Sequence, residues 1–471
     1  ISDRDRFSCH GLYADDRVAK PLVKRDQEWF EVSWQEALEV TVQALETAVG
    51  DETDAVGVLA SPSATVEELF LLKKIASHLR SNSIDYRLRR TDFSDADNDP
   101  AWPWLGLDIA DIETQQGIVV VGSNLRMEVP IIAHRVRKAA LAGARVGFVN
   151  PIDYPVRFDR EAFVEAPVED MPRALAGVLV AALESTSGKL PPALADEYGS
   201  LEPTAEQRTA AEILRNAESG WLVLGQIVER HPRLTEIRLI AAVLAEATGA
   251  SLGYLPEGAN AAGAAMLGFT PKRGEAKGGR GLDAEAMLSA PRHAYILHGV
   301  EPNADLADSE LAAAALKSAD VVVALTSFAD DDLLECCDIV LPIAGFSETP
   351  GTFVNAEGRW QSFDAAAKPF GDSRPAWRVL RVLAEQLGVD DCSYPSIDVI
   401  QAELAETEWP AGDNTYEGSP ELRFGPVDVD YDALDVPIYS IDALVRRSEP
   451  LQQTQIALAR SEAAPAARRT A

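Results

Sequence analysis

Between residues 346 and 363 the chain reads FSETPGTFVNAEGRWQSF, directly after the apolar run DIVLPIAG. Glu348, Gly351, Asn355, Glu357, Gly358 and Arg359 fall together there. Carboxylates, an amide, a guanidinium and two glycines so close together either hold a polar ligand or build a tight turn. The flanks GTFVN and RWQSF have the composition of short strands, which makes AEG a hairpin turn. Gly358 then supplies the awkward backbone angle. Asn355 and Glu357 are placed to cap the turn, and Arg359 has Glu348 and Glu357 as candidate ion-pair partners. On composition alone the stretch is a structural device.

The segment GIVVVGSNLRMEVP is a second candidate. A strand ending in Gly122, Ser123 and Asn124, before a helix opening near Pro130, sets backbone N–H groups at the carboxyl edge of a sheet. Open α/β folds bind phosphates and dinucleotides there. The spacing is not G-x-G-x-x-G, and Gly and Asn supply a plain turn equally well. YLPEGANAAGAAMLG, residues 254–268, puts Asn260 and Gly263 at a loop-to-helix entry. Small residues there permit close backbone approach, to a ligand or to another helix, and packing is the simpler reading.

Metal and nucleophile chemistry find no support. Of the four cysteines, Cys336 and Cys337 are vicinal, while Cys9 and Cys392 stand alone. A vicinal pair suits neither a zinc tetrahedron nor a C-x-x-C redox motif, so apolar packing before the run at Asp338 is expected. The six histidines, His10, His78, His134, His231, His293 and His298, form no H-x-x-x-H pair. Each reads as a surface or satisfied core residue. No G-x-S-x-G elbow is present.

The elements that would position these residues alternate. Strands are expected at 55–61, 117–123, 144–149, 221–225, 294–299, 321–325 and 338–342. All are Val/Ile/Leu-rich without clean alternation, as strands buried on both faces are. Thr65 and Glu68 suggest a capping box, with Leu69, Leu72, Ala76 and Leu79 on one helix face. Pro130 fits a first helical turn. The repeated βαβ rhythm implies an α/β fold with parallel sheets and helices on both faces. A helix is also expected in WQEALEVTVQALETA, after WFEVS. EPTAEQRTAAEI and PKRGEAKGGRG read as linker or exposed loop, and the stretch from RRSEPLQQ to the end as a frayed tail.

At 471 residues the chain exceeds one core, and two or three domains are expected. Its net charge of −32, from 43 basic and 75 acidic residues, argues against nucleic acid and against an anionic membrane surface. The longest apolar run, ALAGVLVAAL, is about half a membrane span. The charged opening ISDRDRF carries no secretory signal and lacks a Met, so the sequence reads as a piece of something longer. Few, scattered cysteines suit a reducing compartment.

The runs VVGSNLRMEVPIIAHRVRKAALAGARVGFVNP, ILHGVEPNADL and ADVVVALTSFADDDLLECCDIVLPIAGFSETPGTFVNAEGRWQSF, in that order, resemble the molybdopterin oxidoreductase family. ISDRDRFSCHGLYADDRVAKPLV, EGANAAG and KPFGDSRPAWRVLRVLAEQLG narrow the resemblance to its respiratory complex I branch, the large iron–sulfur subunits of NADH-quinone oxidoreductases. It covers nearly the whole chain and is weakest over 185–220 and 395–440. The resemblance implies two parallel-sheet α/β domains, one inserted in the other. The first would comprise 51–95 plus 290–390 and the inserted second 96–289, with 1–50 as a lead-in and 391–471 as an extension.

It further implies a part that supports electron transfer from NADH toward quinone in a proton-pumping complex. The partners would be the other hydrophilic-arm subunits, on the cytoplasmic side of the inner membrane, with no direct membrane span. The family's [2Fe-2S] and [4Fe-4S] clusters belong to an amino-terminal part absent from this sequence. Ser2 stands where some relatives place a cluster Cys, and a hydroxyl is a poor substitute for a thiolate on iron. No Cys lies between 62 and 116, where active members carry a metal ligand, and only Ser63, Ser77, Ser81, Ser83 and Ser94 are there to serve. The implied reading is a scaffold without a cofactor in this segment, with Asn124, Asn260, Gly351, Asn355 and Gly358 as remnants of a pterin site. The rival is an active enzyme that grips a pterin dinucleotide with Asn124 and the 346–363 turn. A freestanding binding module is a third reading.

Overall fold

A computed structural model describes residues 2–184, 188–271, 281–425 and 438–458. The expected strands form, each within two residues of its anticipated ends, because runs such as VGVLA at Val56–Ala60 have no polar face to expose. In chain order the strands are β1 (Leu22–Arg25), β2 (Glu28–Glu31), β3 (Val56–Ala60), β4 (Ile84–Asp85), β5 (Gly117–Val121), β6 (Arg145–Asn150) and β7 (Ala162–Glu165). They continue with β8 (Gly220–Leu224), β9 (Ser251–Tyr254), β10 (Ala294–His298), β11 (Val321–Thr326), β12 (Ile339–Pro342), β13 (Gly351–Val354) and β14 (Trp360–Phe363).

The first sheet runs β2-β1-β12-β11-β10-β3-β4, and the second runs β7-β6-β5-β8-β9. Every pairing in the second sheet is parallel. The first is parallel except at one edge, where β1 lies antiparallel to both β12 and β2. Residues 22–31 therefore complete the first sheet, and the helix Trp34–Val49 buries Trp34, Ala37, Leu38 and Leu45 on the same core. Residues 22–49 of the expected 1–50 lead-in thus pack on the first sheet. Their alternation was short, and their pairing partner lies some three hundred residues away at β12.

Helix starts follow their local chemistry. Thr65 and Glu68 make the reciprocal capping box that opens Val66–His78, and Pro130 opens Pro130–Leu141. The same box, Thr204 with Gln207, opens a helix at Ala205–Arg215, where a linker was expected. Ala210, Ala211, Ile213 and Leu214 bury one face of it in the second core.

The lobes exchange inside the expected 96–289 insertion. Leu105 and Leu255 belong to the second lobe's core, whereas Trp102 and Ala261 pack in the first. The helix Ala284–Ser289 covers the opposite face of the first sheet through Met287 and Leu288. After the hairpin, the helix Ile397–Ala405 returns Ile400 and Leu404 to the first core. Tyr416 then crosses to the second.

The expected frayed tail is corrected where the structure describes it. Arg446 pairs with Glu301 and Asp305, Arg447 pairs with Asp16 and Glu301, and Leu451 is buried. Residues 459–471, and most of the loop expected at 271–281, lie outside the described residues.

Candidate functional site at the carboxyl edges of the two sheets

The turn after β5 has the geometry of an anion site. Gly122 adopts a φ of +62°, and a Cβ there would stand 2.7 Å from Val228 Cγ2, so the chain can turn this sharply only at glycine. Ser123 and Asn124 follow, and the short helix Leu125–Glu128 begins. The acceptor in this turn is a side chain of the same helix. Glu128 Oε1 accepts from the Asn124 N–H at 2.8 Å, and Oε2 accepts from the Ser123 hydroxyl at 2.7 Å and the Gln226 N–H at 3.3 Å. Burial pushes the Glu128 carboxyl up, while those donors and the Arg230 charge oppose the rise. Asn150 closes the turn from β6, accepting from the Ser123 N–H and donating to the Ser123 carbonyl.

The four other expected remnants gather at the β13–β14 hairpin, away from Asn124. Asn260 is fully buried; its Nδ2 donates to the Ala64 carbonyl at 2.7 Å and its Oδ1 accepts from the Val354 N–H at 2.8 Å. It thus joins the start of the Val66–His78 helix to β13. A Cβ on Gly351 would lie 2.4 Å from Thr65 Cγ2. Asn355 Oδ1 accepts from the Glu357 and Arg359 N–H groups, which holds the turn. Gly358 takes a φ of +84° against Trp102.

Glu357 accepts from Asn355 Nδ2 at 3.2 Å through Oε1 and reaches out of the hairpin through Oε2, which accepts from the Ile109 N–H at 2.7 Å. Glu348 pairs with Arg17 at 2.8 Å, a partner from the amino-terminal segment rather than the neighbouring Arg359. Two buried neighbours on the Val66–His78 helix complete this surface. Glu67 accepts from the Thr352 N–H and hydroxyl and from Gln401, and Glu68 meets His298 Nε2 at 3.2 Å.

Among the described residues, no three His, Cys, Asp or Glu side chains converge as metal ligands. Ser2 caps the helix Asp3–Phe7 through Asp5. Ser83 donates to Asp54 and Ser94 to Asp92. Cys336 and Cys337 are buried, and burial raises both thiols.

A cavity of about 330 Å³ opens where the carboxyl ends of β4, β8 and β9 approach one another. No remnant residue named above lines it. Its walls carry Arg87, Arg90, Arg230 and Arg238 with Asp99, Glu229 and Glu257. Asp99 gathers three of the arginines: Arg87 at 2.9 Å, Arg90 at 2.5 Å, and Arg238. Burial alone would raise its carboxyl, yet the Arg90 and Arg238 charges hold it well below the usual carboxylate range. Glu257 pairs with Arg89 and with Arg230 at 3.1 Å. Burial pushes the Glu229 carboxyl up against the opposing charges of Arg90 and Arg238. Sequence reasoning passed over this cluster. The signal was there in YRLRRTDF and ERHPRLTEIR, two basic runs in a strongly acidic chain.

A glycine-dependent turn and an interlobe cavity at strand carboxyl ends are where open α/β folds place their ligand sites. Residues 17–386 match the molybdopterin oxidoreductase family, and the chain belongs to it. It is 29% identical to the G subunit of the NADH-quinone oxidoreductase of Streptomyces coelicolor over 458 residues, covering 86% of this chain and 50% of that protein. It is 25% identical to the alpha subunit of the F420-dependent formate dehydrogenase of Methanocaldococcus jannaschii, covering 88% of this chain and 71% of that protein. Acetylene hydratase from Pelobacter acetylenicus shares the fold, with a TM-score of 0.62 at 15% identity over 82% of this chain and 63% of the other. The chain spans about half the length of the NADH-quinone oxidoreductase relatives it matches. Among the described residues, no helix is long and apolar enough to cross a membrane.

Proposed function

We propose that this chain is the α/β body of an NADH:quinone oxidoreductase subunit, a scaffold that carries no cofactor of its own. In the whole assembly electrons would pass from NADH toward quinone over iron–sulfur clusters held outside this segment. The scaffold would brace that cluster-bearing part and dock other hydrophilic-arm subunits, on the cytoplasmic side of the inner membrane.

The observation that carries this reading is the Glu128 carboxylate. It takes up the Asn124 and Gln226 N–H groups and the Ser123 hydroxyl, the donors a dinucleotide phosphate would need. A phosphate brought to that turn would meet a carboxylate instead of open donors. The interlobe cavity, about 330 Å³, is at the small end of the roughly 300–1,000 Å³ range of ligand pockets, and none of the residues expected as remnants of a pterin site lines it. Both features support a segment without a pterin cofactor of its own.

The test is elemental analysis of the purified chain for molybdenum and tungsten, with fluorescence of acid-extracted pterin. NADH:ferricyanide reductase activity is assayed in parallel in material affinity-purified from native cells. A blank for metal and pterin together with co-purifying reductase activity is expected. Stoichiometric metal and pterin would restore the active-enzyme reading and overturn this one.

A further inference from the structure

The interlobe cavity has a wall chemistry that scaffolding does not explain. In a chain of net charge −32, four guanidinium groups line it against three carboxylates. Two of the arginines are fully engaged. Arg87 forks onto Asp85 and reaches Asp99, while Arg90 forks onto Asp99 and donates through Nε to the Asp92 carbonyl.

Arg238 differs. Its Nη1 meets Asp99 and its guanidinium stacks 4.2 Å from the Tyr416 ring centroid. Among the described residues its Nε and Nη2 meet no partner in hydrogen-bond geometry, although the residue is only 2% exposed, and the buried Tyr254 hydroxyl beside it is likewise unmet. Those two nitrogens form one edge of the guanidinium, the edge whose parallel N–H groups grip a carboxylate or phosphate in a fork. Buried charged donors left unmet are costly and rare in native structures. The remaining wall carries the rings of Tyr86 and Tyr254 and the prolines Pro62, Pro100, Pro103 and Pro256.

We propose that this cavity binds a small organic anion, an oxyanion group on a flat apolar body, with Arg238 as its principal anchor. Arg230 stands on the same wall, and Glu229 is the wall carboxylate that opposes a bound anion. The shared chemistry admits an aromatic carboxylate or an aromatic phosphate ester. The site is independent of the scaffold reading, since it requires neither an electron carrier nor a partner subunit.

The experiment is isothermal titration calorimetry of the chain with phenyl phosphate, benzoate and inorganic phosphate at one ionic strength. Saturable one-to-one binding of at least one aromatic anion is expected, tighter than inorganic phosphate because only the former has a body to lay on the wall. Phenyl phosphate above benzoate identifies phosphate esters, and the reverse order identifies carboxylates. Arg238→Gln weakens binding by about tenfold or more, the loss of one forked charge-assisted pair. Glu229→Gln removes a repelling charge without touching the fork and strengthens binding by about threefold or more; it keeps the test decisive if Arg238→Gln fails to fold. Absence of binding by both aromatic anions, inorganic phosphate binding as tightly as they do, or equal affinity in wild type and Glu229→Gln overturns the proposal.

Discussion

Glu128 and His231 illustrate opposite settlements between a titrating side chain and its burial. Glu128 serves as an internal anion for three donors, so Glu128→Ala leaves the Ser123 hydroxyl and two backbone N–H groups without their acceptor. A loss of about 1–3 kcal/mol is expected, read as a lower urea midpoint at an unchanged slope. An unshifted midpoint would mean that water replaces the carboxylate without cost. His231 is fully buried, with Nε2 on the Val168 carbonyl at 2.8 Å and Nδ1 accepting from the Arg233 N–H at 2.9 Å. The Nδ1 acceptor needs the neutral ring, and burial pulls the imidazole down to about 4.

The unfolded chain takes up this proton near pH 6.5, before the folded chain does. The stability contributed by a neutral His231 is therefore complete above that pH and drains as pH falls toward 4. The stability gap between wild type and His231→Gln is expected to narrow by about 2–3 kcal/mol between pH 7 and pH 4. Chemical denaturation of both proteins across that range is the measurement, and a constant gap would refute the assignment.

At the scale of elements, the hairpin and the helix behind it stand or fall together. Gly351 exists because Thr65, the cap of Val66–His78, leaves no room for a Cβ. Gly351→Ala is expected to cost about 1–3 kcal/mol by overpacking. Thr65→Ser deletes the offending methyl while keeping the capping hydroxyl, so the double variant should recover part of that loss. Additive losses would show that the clash is relieved elsewhere.

Local signals of this sort were legible in the sequence. Thr65 with Glu68, Pro130, the buried Val-rich runs and the hairpin at 351–363 all announced themselves within a few residues. What stayed hidden was short or remote. β4 has two residues, and two of the four buried apolar positions of the Ala205–Arg215 helix are alanine, so its stripe reads as polar linker. The cavity is built from Asp99 and Arg238, whose meeting depends on two lobes coming together. No local pattern encodes such a pairing.

Across the whole molecule, the last described segment acts as a strap. Arg446 and Arg447 fasten residues 438–458 to Glu301, Asp305 and Asp16, and Arg89 donates to the Ile441 carbonyl. Buried pairs are costly to break singly. Arg447→Ala is thus expected to speed proteolysis within 438–458 severalfold under native conditions while leaving the two sheets protected. Limited digestion followed by mass spectrometry reads this out, and unchanged cleavage would mean that Arg446 and Leu451 hold the strap alone.

The order of strands also dictates an order of events at the ribosome. The second sheet is drawn from one continuous stretch between β5 and β9 and can close as soon as that stretch emerges. The first sheet sets Val56 beside Ala294, and Val23 beside Ile339. β1 can pair at once with β2, and β3 with β4, but the edges of β1 and β3 that meet β12 and β10 must wait until those strands have been made. Pairings so remote are slow to form and exposed to aggregation meanwhile. For this chain the vulnerable interval in the cell is the time spent translating the inserted lobe. Lengthening that insertion would be expected to raise demand on chaperones before it altered the finished fold.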